Sequence, residues 1–178
     1  MNYLIQSLTY FRILSAPIIF LLIVSNEYGW ALFILILASS SDYWDGYLAR
    51  KYNLESILGS ILDPIADKML LTFLILSFAL TMQSTYIAFA GGIMLVREFW
   101  VAALRDFNSR NNNIEATKVS FLAKIKTFSQ FTAFSVLLLG LYSGNEIFLL
   151  TGNFVLLAAL IITLQSGVEY TVRTFRKL

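Results

Sequence analysis

Cysteine and histidine are both missing from the 178 residues, proline occurs only twice, and charged side chains make up 13%. Without cysteine there is no disulfide and no thiol nucleophile; without either residue there is no zinc site of Cys/His type and no phosphohistidine chemistry. Any metal must be bound through oxygen, which favours magnesium, manganese or calcium. The scarcity of charge accompanies a hydrophobic content of 58%, against roughly 45–50% apolar and about 25% charged residues in soluble domains. The apolar runs are too numerous for one core in water, so the composition indicates an all-α integral membrane protein, one helical bundle with lipid as its solvent and a single domain over residues 1–178. The net charge of +2 is small, and its distribution matters more than its size.

The first apolar run, Ile13 to Val24, is about 12 residues long, close to a signal-peptide core and short of the ~20 needed to span. Extended back through Leu4, Leu8 and Phe11 it becomes a spanning helix that begins in the interface and contains Pro17. No small-residue cleavage site with flanking polarity follows, so the segment is read as retained. A second helix opens after Asn26-Glu27 with Tyr28 and Trp30, runs apolar to Ala38, and turns polar through Ser39, Ser40 and Ser41 towards Arg50. Further spans are expected at about Pro64 to Met82, Tyr86 to Phe107, Val119 to Tyr142 and Ile147 to Thr171, which makes a six-transmembrane-helix bundle. The loops at Asn26-Glu27, Gln83-Ser84 and Ser143 to Glu146 contain no Lys or Arg, and all basic residues fall on or point towards the opposite face. By the positive-inside rule that face, which carries both termini, is expected in the cytoplasm.

Between the second and third spans the chain concentrates its acids. Asp42 and Asp45 are three apart, and Asp63 and Asp67 four apart, so each pair shares a helix face. Asp42 would lie roughly 12 Å inward of Arg50 along a continuous helix. Four carboxylates brought together beside lipid would repel unless cations neutralised them, and two divalent ions suit that number better than one. Asp63-Pro64 also reads as an N-cap followed by the first helical residue. Gly46, Ala49 and Gly59 clear the helix surface beside the acids, either for helix packing or for close approach of a ligand.

The pattern Asp42-x2-Asp45-Gly46-x2-Ala49-Arg50-x8-Gly59-x3-Asp63-x3-Asp67 resembles the signature of the CDP-alcohol phosphatidyltransferases, with all eight fixed positions met. The resemblance implies a six-helix membrane fold, usually a homodimer, in which Asp42, Asp45, Asp63 and Asp67 hold two metal ions, Mg2+ or Mn2+. It implies that CDP-diacylglycerol binds across them beside Gly46, Ala49, Arg50 and Gly59. Asp67 would deprotonate the acceptor hydroxyl, and CMP would leave. Ser7-Leu-Thr9-Tyr-Phe-Arg12-Ile with Pro17, Leu62 to Lys68, Arg97-Glu98-Phe, Leu104-Arg105 and Val119 to Gln130 are similar to the bacterial branch that makes phosphatidylglycerophosphate. That branch implies glycerol 3-phosphate as acceptor and a multi-pass location in the bacterial inner membrane with the active site facing the cytoplasm. Ala123 and Glu55-Ser56-Ile57 depart from the branch pattern, though neither touches a metal-ligand position.

Arg97, Arg105, Lys118, Lys124 and Lys126 lie towards the cytoplasmic ends of the fourth and fifth spans. One reading makes them a phosphate pocket for glycerol 3-phosphate. The plainer one makes them topological signals and contacts for anionic lipid, with Glu98 pairing a neighbouring Arg or Lys. Two alternatives stand beside the leading function. The same chemistry with phosphatidylglycerol, inositol phosphate or serine as acceptor is one, and a cation transporter using intramembrane acids is the other.

Overall fold

The computed structural model describes the backbone of residues 2–52, 57–111, 113 and 120–176, and the side chains of residues 7–41, 59, 61–111, 113 and 120–176. All regular structure among the described residues is helical: α1 (Asn2–Val24), α2 (Tyr28–Tyr52), α3 (Ile57–Thr81), α4 (Thr85–Arg110), α5 (Phe121–Ser143) and α6 (Glu146–Phe175). Five of these are long and apolar enough to cross a membrane, and the apolar part of α2, Tyr28–Ser41, is shorter.

The helices are joined in pairs by three short turns, each containing a residue in the left-handed region: Asn26 (φ 64°), Gln83 (φ 47°) and Gly144 (φ 64°). At the first two, the chain folds back on the last helical turn. The Glu27 N–H donates to the Leu22 carbonyl at 2.8 Å and the Ser84 N–H to the Ala79 carbonyl at 3.2 Å, which satisfies carbonyls that a helix end leaves open. Ser84 and Asn145 then cap the next helix, their side chains accepting from the N–H groups of Ile87 and Ile147. Reversal therefore takes only two or three residues, at the places where the sequence put its loops without Lys or Arg.

Side-chain pairs fix the directions. Thr9 meets Asp63, Arg12 meets Asp67 and Phe20 meets Phe73, so α1 and α3 run parallel. Arg97 meets Ser166 and Asn108 meets Thr174, so α4 and α6 run parallel as well. Phe78 packs on Phe134 with ring centroids 5.4 Å apart, joining α3 to α5. The three turns thus share one end of the bundle, and none contains Lys or Arg.

The buried core is apolar, built around Ile19, Leu35, Leu74, Phe78, Phe134, Leu137 and Leu156. Helix α1 packs against both α2 and α3, while α5 and α6 make the most extensive pairing. Small residues bring that last pair together. A Cβ added at Gly140 would lie 2.6 Å from Leu149, and one at Gly152 2.7 Å from Leu137, so each helix seats a leucine where the other has a glycine. Where lipid is as apolar as leucine, close packing of this kind holds helices together. Leu14, Phe89, Phe128 and Phe154 face outward, as lipid-solvated side chains do.

One expectation needs correction. Helix α3 begins at Ile57 and not at Pro64, which lies inside it, so Asp63 is not an N-cap. Proline cannot give an N–H to the carbonyl four residues back, but a bundle tolerates one such loss where neighbouring groups re-satisfy the backbone. The Asp63 carboxylate instead accepts a hydrogen bond from Thr9. Helices α4 and α6 also run past Phe107 and Thr171 to Arg110 and Phe175.

Candidate active site

On α3, residues four apart present Asp63 and Asp67 on one face, and both line a cavity of about 600 Å³. Helix α4 contributes Arg97, Glu98, Val101 and Arg105 to the facing wall, α5 contributes Lys126, Thr127 and Gln130, and α6 contributes Tyr170. The carboxylates and the cations thus meet across one space. At ~1.5 Å per residue, Arg12, Asp67 and Arg97 all lie roughly 18–21 Å along their helix axes from the turn ends of α1, α3 and α4. The charged groups form one layer well inside the apolar bundle.

Charges at such a depth are expected to be paired. Asp67 accepts from Arg12, Nη1 to Oδ1 at 3.0 Å, with the arginine side chain 1% exposed and the aspartate 38%. Asp63 accepts from the Thr9 hydroxyl at 2.9 Å. Thr9 and Arg12, three apart on α1, therefore meet two carboxylates that are four apart on the parallel α3. On the other wall one oxygen of Glu98 accepts from Arg97 Nη1 at 3.0 Å and also from Lys126. Arg97 reaches α6 through Nη2, which donates to Ser166 at 2.8 Å. Lys68 lies with its ammonium 6.0 Å from the centre of the Phe99 ring.

Of the site residues expected from sequence, Asp63, Asp67, Arg97, Arg105 and Lys126 come together around this cavity. Lys124 does not; it is exposed, and two helical positions from Lys126 it falls on a different face. Gly59 lies in the first turn of α3. The side chains of Asp42, Asp45, Ala49 and Arg50, the surroundings of Gly46, and Lys118 lie outside the described residues. Two groups went unassigned in the sequence reading, where Thr9 and Arg12 served only as marks of likeness. An arginine in the first half of an apolar helix was the signal that would have found Arg12.

Among the described residues no set of three or more acidic side chains gathers at one point. Asp63 and Asp67 nonetheless fit an oxygen-bound divalent cation. They stand one helical turn apart on one wall of the cavity, in a chain that has no softer donor than oxygen apart from methionine.

Comparison with known proteins decides what this arrangement belongs to. Residues 3–165 match the family model described as CDP-alcohol phosphatidyltransferase. The chain belongs to that family. A Rickettsia bellii relative named CDP-diacylglycerol--glycerol-3-phosphate 3-phosphatidyltransferase is 40% identical over 92% of this chain and 90% of its own length. Relatives of the same name from Rickettsia typhi (38% identical, 92% of each chain) and Wigglesworthia glossinidia brevipalpis (32%, covering 96% of this chain and 94% of its own) are also similar. As a CDP-alcohol phosphatidyltransferase the chain is an enzyme, which sets aside the reading of its acids as a cation pathway. It is a membrane protein by its apolar helices, and its relatives are bacterial.

Proposed function

We propose that this phosphatidyltransferase transfers the phosphatidyl group of CDP-diacylglycerol to sn-glycerol 3-phosphate, giving phosphatidylglycerophosphate and CMP. The observation that carries the reading is the cavity itself, with Asp63 and Asp67 on one wall and Arg97, Arg105 and Lys126 on the other. A phosphomonoester acceptor brings about two negative charges, and guanidinium and ammonium groups held in an apolar bundle answer them. The names of the relatives point to the same acceptor.

In this reading Asp63 and Asp67, with Asp42 and Asp45, hold two divalent cations, Mg2+ or Mn2+, and CDP-diacylglycerol lies against Gly46, Ala49, Arg50 and Gly59. Bound there, the ions would neutralise the pyrophosphate of the donor. The protein's own groups do the rest. Arg97, Arg105 and Lys126 fix the acceptor by its phosphate, so that a hydroxyl of glycerol faces Asp67. Asp67 takes the hydroxyl proton, and the hydroxyl oxygen bonds to the phosphorus that carries diacylglycerol. The bond from that phosphorus to the bridging oxygen breaks, and CMP departs with its electron pair. Arg12 holds the Asp67 carboxylate in place from behind.

The reading places both termini and the cavity on the cytoplasmic side of the bacterial inner membrane. It is supported by the three turns at the other end, which carry no Lys or Arg, and by the basic residues beyond the charged layer, from Arg105 and Arg110 to Arg173 and Arg176. A homodimer is carried over from the family likeness. The test is CMP release by purified protein in mixed micelles of CDP-diacylglycerol. Release should require glycerol 3-phosphate and should be lost in Asp67→Asn with the fold intact. Turnover with phosphatidylglycerol, inositol phosphate or serine but not with glycerol 3-phosphate would replace the acceptor. Full turnover by Asp67→Asn would remove the base assignment.

A further inference from the structure

The family match ends at residue 165, yet three of the next five residues of α6, Ser166, Gly167 and Tyr170, pack around one of the cavity's cations. Arg97 is 6% exposed and is held on three sides by that segment. Its Nη2 donates to Ser166 at 2.8 Å, and its guanidinium carbon lies 5.9 Å from the centre of the Tyr170 ring. A Cβ added at Gly167 would stand 3.0 Å from Arg97 Cγ and 3.6 Å from its Nε. Ser166 is fully buried, and its own proton is committed, since the hydroxyl donates to the Thr163 carbonyl at 2.9 Å. With that proton spoken for, the oxygen can only accept from the guanidinium, so its direction is fixed by the helix and not by rotation of the hydroxyl. Of the five N–H donors of Arg97, one goes to Glu98 and one to Ser166, while Nε is buried without a hydrogen-bond partner among the described residues.

We infer that Ser166, Gly167 and Tyr170 form a cradle that fixes Arg97 at the cavity wall and leaves its two remaining Nη N–H groups for the phosphate of the acceptor, making the last helix a determinant of acceptor affinity. Ser166 and Gly167 do not line the cavity, so they act as positioning residues, through Arg97 alone. The inference rests on the proposed role of Arg97 as a contact for the acceptor phosphate. An arginine stem has many rotamers, and fixing one in advance lowers the entropy that binding must overcome.

The experiment compares Ser166→Ala with Ser77→Ala in the purified enzyme. Ser77 is equally buried and donates to a carbonyl of its own helix, that of Leu74, with no hydrogen bond to a cation among the described residues. For Ser166→Ala the KM for glycerol 3-phosphate should rise about tenfold, the loss of one charge-assisted hydrogen bond. Its KM for CDP-diacylglycerol and its kcat should stay within about twofold of the parent by the same argument. Ser77→Ala should move none of these. Ser166→Cys, which keeps the volume and weakens the acceptor, should fall between, and it serves if the alanine variant does not fold. Gly167→Ala should raise the same KM by pushing the arginine stem aside. An unchanged acceptor KM in Ser166→Ala and Ser166→Cys, beside a large rise in Arg97→Gln, overturns the cradle and leaves the proposed function standing. An unchanged acceptor KM in Arg97→Gln as well removes Arg97 from the phosphate site and the cradle with it.

Discussion

Two adjacent glycines on α4 offer a comparison in which the shared gain in helix propensity cancels. A Cβ at Gly91 would lie 2.3 Å from Ile75 Cγ2 and 2.8 Å from its Cγ1, whereas a Cβ at Gly92 would have nothing within 4 Å. Carbon atoms pack best at about 3.5–4.0 Å, so Gly91→Ala intrudes by more than about 1 Å. Ile75 cannot turn away easily, because it is 4% exposed and a β-branched side chain has one favoured rotamer in a helix. The strain falls on the α3–α4 contact, the pair that holds Asp63 and Asp67 opposite Arg97 and Arg105. Overpacking costs about 1–3 kcal/mol, and both alanines regain about 0.5–1 kcal/mol of helix propensity. Since that gain is common to both, the difference between the two variants isolates the clash at about 1–3 kcal/mol, or very roughly 2–12 °C in melting midpoint. Thermal unfolding of the two variants in one detergent is the assay, with Gly92→Ala at or above the parent and Gly91→Ala below it. In an Ile75→Ala background the Gly91→Ala penalty should vanish. Equal midpoints for the two single variants would refute the packing argument.

Removing Arg12 from the Asp67 pair should destabilise. The usual cost of about 3–5 kcal/mol for breaking a buried pair shrinks to roughly 1–2 kcal/mol because the aspartate is partly solvated. A cycle of Arg12→Met and Asp67→Asn, followed by thermal unfolding, should give a coupling of about 0.5–2 kcal/mol, and strict additivity would show that the pair contributes nothing. Lys126→Met should raise the KM for glycerol 3-phosphate roughly ten- to hundredfold without changing that for CDP-diacylglycerol; steady-state CMP release measures both. Chelation by EDTA should stop CMP release and Mg2+ or Mn2+ should restore it, and activity that persists through exhaustive chelation would contradict an ion-dependent reaction.

Much of the architecture was legible because membrane segments announce themselves by length and apolarity. The three hairpin turns fell at short polar breaks without Lys or Arg between apolar runs, and the left-handed residues that make them occupy those positions. Helix ends were harder. Pro64 looked like a beginning because proline usually marks one, but the helix had already formed from Ile57, and nothing local in the sequence says that a bundle will accept the missing bond. Asp63 and Asp67 could be read as a face of one helix from their spacing alone. Their partners Thr9 and Arg12 could not, since pairing across more than fifty residues depends on α1 lying parallel to α3. Lys124 and Lys126 were indistinguishable as basic residues near a helix start, and only the direction of the α5 face towards the cavity separates them.

The cavity is divided along the chain as well as in space. Its two aspartates, Asp63 and Asp67, stand on α3, backed by α1, while Arg97, Arg105 and Lys126, which face them, all come after the turn at Gln83-Ser84. A crossover at that turn would exchange the second half of the protein and keep the α1–α2 and α1–α3 pairings of the first. Chimeras between relatives of different acceptor use, joined there, should inherit the donor from the first parent and the acceptor from the second. Evolution would have had the same seam available, changing the alcohol that is modified by altering three helices and sparing the three that carry or support the acids.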